Sequence, residues 1–262
     1  MDNSCREGLL HEHGLALYIE YQDKRILFDT GASKALLYNA QKMGIDLRKV
    51  DYCVISHAHY DHAGGLAAFL ALNHKAQVYM KHEAKKRYYH GLRSIGVPRK
   101  VFKRYEHRIT YFRKIVQLFP GCTLLPDITL HEPIGAWNRR FWTGKIWRRK
   151  PDRFFHEMMM ALAVQESGFA LFTGCSHSGV YNMLRSAKDT LNGSIRYLIG
   201  GFHLSNAKEA LVQSIAKQIQ PFELEGIFTC HCTGDAACGI LRRKLPGVQR
   251  IMAGDVITLD EV

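Results

Sequence analysis

The sequence predicts an α/β protein, and three observations carry that reading. Strand-like apolar runs alternate with helix-like ones through both halves of the 262 residues, the composition is that of a compact domain, and a dense histidine motif falls between a buried strand and a helix. Hydrophobic residues make up 47% and charged residues 23%, which excludes a disordered or collagen-like chain. The longest uninterrupted apolar runs, 66–72 and 158–164, have seven residues each. A membrane-spanning helix needs about 20, so none is expected. The first residues, Met1-Asp2-Asn3-Ser4-Cys5-Arg6-Glu7, mix charges and open no apolar segment, so neither a secretory signal nor a transit peptide is read there and a cytoplasmic protein is expected.

The elements follow in order. Residues 15–21 and 25–29, separated by Gln22-Asp23-Lys24, read as a β-hairpin. A helix is expected near 33–43, a short buried strand at 50–56, a helix over 64–72 and a strand at 77–80. Beyond a strongly basic stretch, 158–165 and 169–173 read as paired strands across the turn Glu166-Ser167-Gly168. Then come a helix at 180–187, a strand at 196–199, a helix at 207–218, a strand at 226–229, a helix at 235–245 and a last strand at 256–259. No internal repeat is visible. The triplet Met158-Met159-Met160 opens an apolar run and is expected to pack in the core rather than bind a soft metal.

Seven cysteines, an odd set scattered over a long chain, do not form the framework of a small disulfide-stapled domain. Cys230-x-Cys232 is one residue too tight for the usual zinc spacing, and the pair is expected in a strand or loop. The net charge of +12 is concentrated in one place. Residues 81–153 hold 19 Lys and Arg against five acids, whereas the rest of the chain holds 17 against 19. Aromatic residues interleave with these cations, as in Lys85-Lys86-Arg87-Tyr88-Tyr89 and Arg139-Arg140-Phe141-Trp142. Such a patch suits a nucleic acid, an anionic cofactor or a membrane surface, or it is a solvated face with its rings turned inward.

The strongest chemical signal is His57-Ala58-His59-Tyr60-Asp61-His62. In an extended segment side chains alternate, so His57 and His59 point the same way and can grip one metal, while Asp61 and His62 at the turn into the helix can face a second. Imidazoles with a carboxylate suit zinc, manganese or iron and argue against a hard calcium site.

This pattern resembles the metallo-β-lactamase superfamily. Ile26-Leu27-Phe28-Asp29-Thr30-Gly31 matches its strand ending in an Asp that supports the metal loop, Ala170 to Gly174 with Cys175-Ser176-His177 falls where a strand, a Gly and a bridging Asp are usual, and Phe228 to Gly234 supplies the late histidine His231. Within the superfamily the likeness is to the dihydropterin-ribofuranosylaminobenzene-phosphate synthase-like subgroup, through Glu12 to Leu17, Ser56 to Gly65, Gly174 to Gly179, Gly200 to Leu204 and Cys230 to Gly234. The resemblance implies an αββα sandwich, two central mixed β-sheets covered by helices, as a single domain over 1–262 with a basic insertion at about 81–153. It also implies two divalent ions, zinc first with manganese or iron as alternatives. His57, His59 and His177 are expected to hold one and Asp61, His62 and His231 the other, with Asp29 supporting the loop from behind.

Two departures bear on this. Cys175 stands where a bridging Asp is usual, so its thiolate bridges or borders the ions or the bridge is left to water. The chain also begins where that subgroup has already run through an initial strand, so an edge strand is expected to be missing or supplied otherwise. Asp61 and His203 are expected to serve catalysis, His203 by contacting substrate or transferring a proton, and His156 is a lesser candidate ligand. The expected activity is a metal-dependent hydrolase using a metal-activated hydroxide on a phosphorylated or ester small molecule. The alternatives are the pterin condensation named by the subgroup, a nuclease using the basic insertion, and a redox protein. An anionic partner, no membrane and no assigned oligomeric state complete the expectations.

Overall fold

The computed structural model describes residues 1–165 and 167–259. In chain order the elements are β1 (Leu17–Tyr21), β2 (Lys24–Phe28), α1 (Ala35–Lys42), β3 (Tyr52–Val54), α2 (Tyr60–Ala63), α3 (Leu66–Leu72), β4 (Gln77–Lys81), β5 (Tyr88–His90), β6 (Arg93–Ser94), α4 (Arg99–Tyr105), β7 (Ile109–Phe112), β8 (Val116–Phe119) and β9 (Cys122–Leu125). They continue with β10 (Phe141–Lys145), β11 (Arg148–Pro151), β12 (Met159–Val164), β13 (Gly168–Phe172), α5 (Val180–Thr190), β14 (Ser194–Gly200), α6 (Glu209–Ile219), β15 (Gly226–Thr229), α7 (Asp235–Lys244) and β16 (Val248–Arg250). The chain divides into two compact units. The first comprises Met1–Arg113, Ala136–Glu157 and Met252–Asp255; the second comprises Lys114–Gly135, Met158–Ile251 and residues 256–259. The basic stretch 81–153 therefore supplies elements to both.

In the first unit a five-stranded sheet runs β1-β2-β3-β4-β7. The β1–β2 hairpin is antiparallel with Tyr21 opposite Lys24, which leaves Gln22, at φ 53°, and Asp23 as its turn. The pairs β2–β3, β3–β4 and β4–β7 are all parallel. The core that α1 and α3 help to form contains Leu27, Ile55, Leu66, Phe69, Leu70 and Val78, all buried. A second sheet, β11-β10-β5-β6, is built from the basic stretch.

The second unit is a seven-stranded sheet, β16-β15-β14-β13-β12-β9-β8. Strands β13 to β16 pair in parallel and the other three in antiparallel fashion. Met158, Met159 and Met160 are each fully buried at its centre, as the apolar run requires.

Three expectations are corrected by the structure or fall outside it. The last strand is Val248–Arg250, parallel to β15, and not 256–259. Gly247, at φ 68°, turns the chain after α7 so that its carbonyl accepts the Ile227 N–H, whereas Val256 is 84% exposed. The helix expected over 64–72 begins at Leu66 as α3, and a separate short helix, α2, precedes it inside the histidine motif. Glu166, in the expected turn, lies outside the described residues.

The break between α2 and α3 has a packing cause. A Cβ on Gly64 would lie 2.1 Å from the Ala32 carbonyl oxygen, and one on Gly65 would lie 2.2 Å from that of Thr30. Both contacts are backbone, so neither can yield by rotating a side chain. These glycines let the loop after β2 close on the histidine motif, an approach fixed by Thr30 N–H donating to the His62 carbonyl at 2.7 Å and Gly64 N–H to that of Gly31 at 2.9 Å. Gly65→Ala is expected to destabilise the protein by about 3 kcal/mol, at the upper end of overpacking costs, as measured by denaturant unfolding.

Candidate metal centre

The first unit organises its histidines around one carboxylate. Asp29 ends β2 in the left-handed region (φ 61°) and is fully buried. Its Oδ1 accepts the Ser56 N–H at 2.8 Å, and its Oδ2 accepts the Ser56 hydroxyl at 2.7 Å and His62 Nδ1–H at 2.6 Å. A carboxylate has no proton to give, so Nδ1 of His62 must be protonated and its lone pair lies on Nε2. Because the Ser56 hydroxyl already donates to Asp29, it accepts from His57 Nδ1 at 3.0 Å. His57 is thereby also set with its lone pair on Nε2. That atom lies 3.0 Å from His59 Nδ1. The separation is close to the about 3.3 Å edge of a tetrahedron with zinc–nitrogen bonds of about 2.0–2.1 Å.

Aromatic rings dry this corner. Phe141, at the start of β10, stacks on His59 with centroids 5.3 Å apart, and Tyr88 and Phe154 approach it edge-on. Burial, reinforced by His156, pushes the His59 imidazole down to about 3, so it stands neutral, as a ligand must. Asp61 and His62 fall in α2, and Asp61 Oδ2 lies 3.3 Å from Nε2 of His13.

His156, the lesser ligand candidate, groups with His59 and Asp152, their ligand atoms lying within 4.8 Å of one another. Its Nδ1 lies 3.0 Å from the Ala58 N–H donor and its Nε2 faces Asp152 Oδ2 at 3.0 Å, so both nitrogens are engaged. The buried pair holds the backbone between His57 and His59. Nothing in the sequence flags it, since 98 residues separate the partners. Glu12 supports the neighbouring loop in the same way, its Oε1 accepting the N–H groups of Ala32 and Ser33 at 2.9 and 3.2 Å.

In the second unit the candidates gather on the loops following the carboxyl ends of β13, β14 and β15. Cys175 and His177 follow β13, His203 follows β14, and His231 and Cys232 follow β15. Ser176, His203 and His231 adopt left-handed backbone at φ 56°, 50° and 49°, a cluster of sparsely populated conformations of the sort found at functional sites. Cross-links between loops hold them: Gly201 N–H donates to the Gly174 carbonyl at 2.8 Å, the Ser176 hydroxyl to that of Gly201 at 2.8 Å, and Phe202 N–H to the Thr233 hydroxyl at 3.0 Å. The rings of His177 and His203 lie 4.3 Å apart. Burial alone would raise the Cys232 thiol, but hydrogen bonds with Cys175 and His203 and the charges of His231 and His203 hold it well below its ordinary range.

Comparison with known proteins bears on this arrangement. The profile of the metallo-β-lactamase superfamily matches residues 11–119. A solved structure of a metal-dependent hydrolase of the β-lactamase superfamily is 31% identical, with a TM-score of 0.87 over 99% of this chain and 97% of that one. The 7,8-dihydropterin-6-methyl-4-(β-D-ribofuranosyl)-aminobenzene-5′-phosphate synthase of Methanocaldococcus jannaschii is 27% identical over 94% of this chain and 90% of its own. YhfI of Bacillus subtilis, a metallo-β-lactamase-fold protein, shares the fold at 14% identity, with a TM-score of 0.60 over 97% of this chain and 95% of its own. The chain belongs to the metallo-β-lactamase superfamily and has its α/β fold.

The superfamily implies metal ions, and the residues present fit them. Neutral imidazoles preset by hydrogen bonds, a buried aspartate and thiols form a donor set for zinc and its neighbours rather than for calcium. No helix among the described residues is long and apolar enough to cross a membrane. His156→Ala, which strands the Ala58 N–H, is expected to cost about 1–3 kcal/mol of stability and to weaken zinc binding about 10–100-fold. Zinc titration against a competing chelator measures the second effect, and unchanged affinity would reduce the His156–Asp152 pair to packing.

Proposed function

We propose that this protein is a metal-dependent hydrolase acting on a phosphorylated or ester small molecule in the cytoplasm, with two divalent ions, zinc foremost. His57, His59 and His177 would hold one ion and Asp61, His62 and His231 the other. When bound, such ions supply a water of lowered pKa and Lewis-acid stabilisation of the attacked group. The observation that carries the reading is the Asp29–Ser56–His57 and Asp29–His62 network, which sets two ring tautomers with the lone pair on Nε2, the form in which an imidazole ligates a metal. The 31% identical relative described as a metal-dependent hydrolase supports the same class.

The chain's own residues supply the rest. Phe141, Tyr88 and Phe154 exclude water around His59. Asp61 and His203 serve as the proton-handling groups, Asp61 through its contact with His13 and His203 beside His177. Arg93 of β6 lies over the Tyr60 ring of the histidine motif at 4.9 Å, and Tyr60 N–H donates to the Ile95 carbonyl at 2.7 Å. This puts a guanidinium beside the motif, suited to a phosphate, and gives the basic stretch a use in holding an anionic substrate.

A second reading rests on the 27% identical synthase relative: a condensation at the same residues, which would hold the ions for Lewis-acid support of a phosphorylated substrate. Both readings require the metals and an anionic substrate, and the products tell them apart.

Elemental analysis of protein purified without added metal is expected to find at least two ions per chain, and His59→Ala is expected to lower the metal content and abolish activity; an active variant with unchanged metal content would overturn the site. A screen of phosphomonoesters, phosphodiesters and cyclic nucleotides then identifies the substrate class. With the substrate so found, Arg93→Ala is expected to raise KM about tenfold while leaving kcat nearly unchanged, the pattern of lost ground-state binding.

A further inference from the structure

Three side chains of the second unit form a cluster to which the hydrolase reading assigns no ion. Ligand atoms of Cys175, His203 and Cys232 all lie within 4.8 Å of one another. Cys175 and Cys232 are buried, and neither is in a disulfide. They belong to the loops that follow three adjacent parallel strands, β13, β14 and β15, so the sheet itself sets their spacing.

The surrounding backbone is shaped to the Cys232 sulfur. A Cβ on Gly201 would lie 2.5 Å from that Sγ, so only glycine leaves room for it. His203 adopts left-handed backbone, and its N–H donates to the same sulfur at 3.2 Å. The Cys232 Sγ is itself 3.7 Å from the Cys175 carbonyl oxygen. The chain thus accepts an unfavourable conformation at His203 while holding the sulfur from two sides.

We propose that Cys175, His203 and Cys232 form a cation site of their own, taking one thiophilic divalent ion such as zinc. Two sulfurs and one imidazole nitrogen are a known zinc ligand set that keeps a fourth position open for water or a substrate atom. A tetrahedral site with zinc–sulfur bonds of about 2.3 Å has sulfurs about 3.8 Å apart, so the three groups need close by no more than about 1 Å. Cys175 then has its own use at the position where the superfamily usually carries a bridging aspartate.

The test uses the full chain carrying His57→Ala and His59→Ala, loaded with cobalt(II). Removing those two imidazoles disables the first ion's site of the reading above, so the two proposals can fail separately. The expected result is retained cobalt with an intense near-ultraviolet thiolate-to-cobalt band. Adding Cys232→Ser should cut that band by about half, one of two thiolates being lost, and adding His203→Ala should weaken cobalt affinity about tenfold. Should these variants misfold, cadmium NMR of the unsubstituted protein gives a second readout, with a resonance in the downfield range of two-thiolate sites expected. A cobalt band that Cys232→Ser leaves unchanged, the absence of any thiolate-bound cobalt or cadmium signal, or a Cys175–Cys232 disulfide in protein purified anaerobically would each overturn the proposal.

Discussion

A buried carboxylate must be met by donors, and Asp29 is met by three, two from Ser56 and one from His62. That requirement orders the protons around it. His62 has to donate from Nδ1, and the Ser56 hydroxyl, committed to the aspartate, has to receive from His57 Nδ1. One acid at the end of β2 thus dictates the tautomers of two imidazoles, His57 on the loop after β3 and His62 in α2. The parallel register of β2 and β3, with Phe28 opposite Val54, places the two strand ends side by side and brings the acid within reach.

The backbone has been shaped to the same end. Glycines at 64 and 65 permit close approach of the loop after β2 to the motif, and His156 grips the peptide between the two leading histidines. In the second unit the corresponding work is done by left-handed residues and by Gly201, which leaves space for a sulfur. Such conformations oppose stability locally and persist because the flanking parallel strands over-determine them.

Much of the first unit's cluster was legible because it is local. His57, His59, Asp61 and His62 sit within six residues, and a strand ending in Asp29 announces its place by its apolar run. His177, His203 and His231 came through likeness to the superfamily, since no spacing links three separate strand ends. The contacts that His156, Glu12 and His13 make with Ala58, Ala32 and Asp61 were not legible: they join residues far apart in sequence, or tie a common side chain to a backbone group. The sheet built from residues 88–151 also escaped, because its strands are short and densely cationic, with β6 only two residues long. The residues at 256–259 have β-branched character that reads as a strand, yet the edge of β15 is taken by the less regular Val248–Arg250. Propensity describes a segment, whereas pairing depends on which edge is available.

The proton order imposed by Asp29 can be read directly by histidine-selective nitrogen NMR of the metal-free protein at neutral pH. That order predicts His62 in the Nδ1–H form, with a non-protonated Nε2 whose signal moves when zinc is added and Nδ1 keeping its proton. A His62 protonated on Nε2 instead, or an Nε2 signal indifferent to zinc, would contradict it.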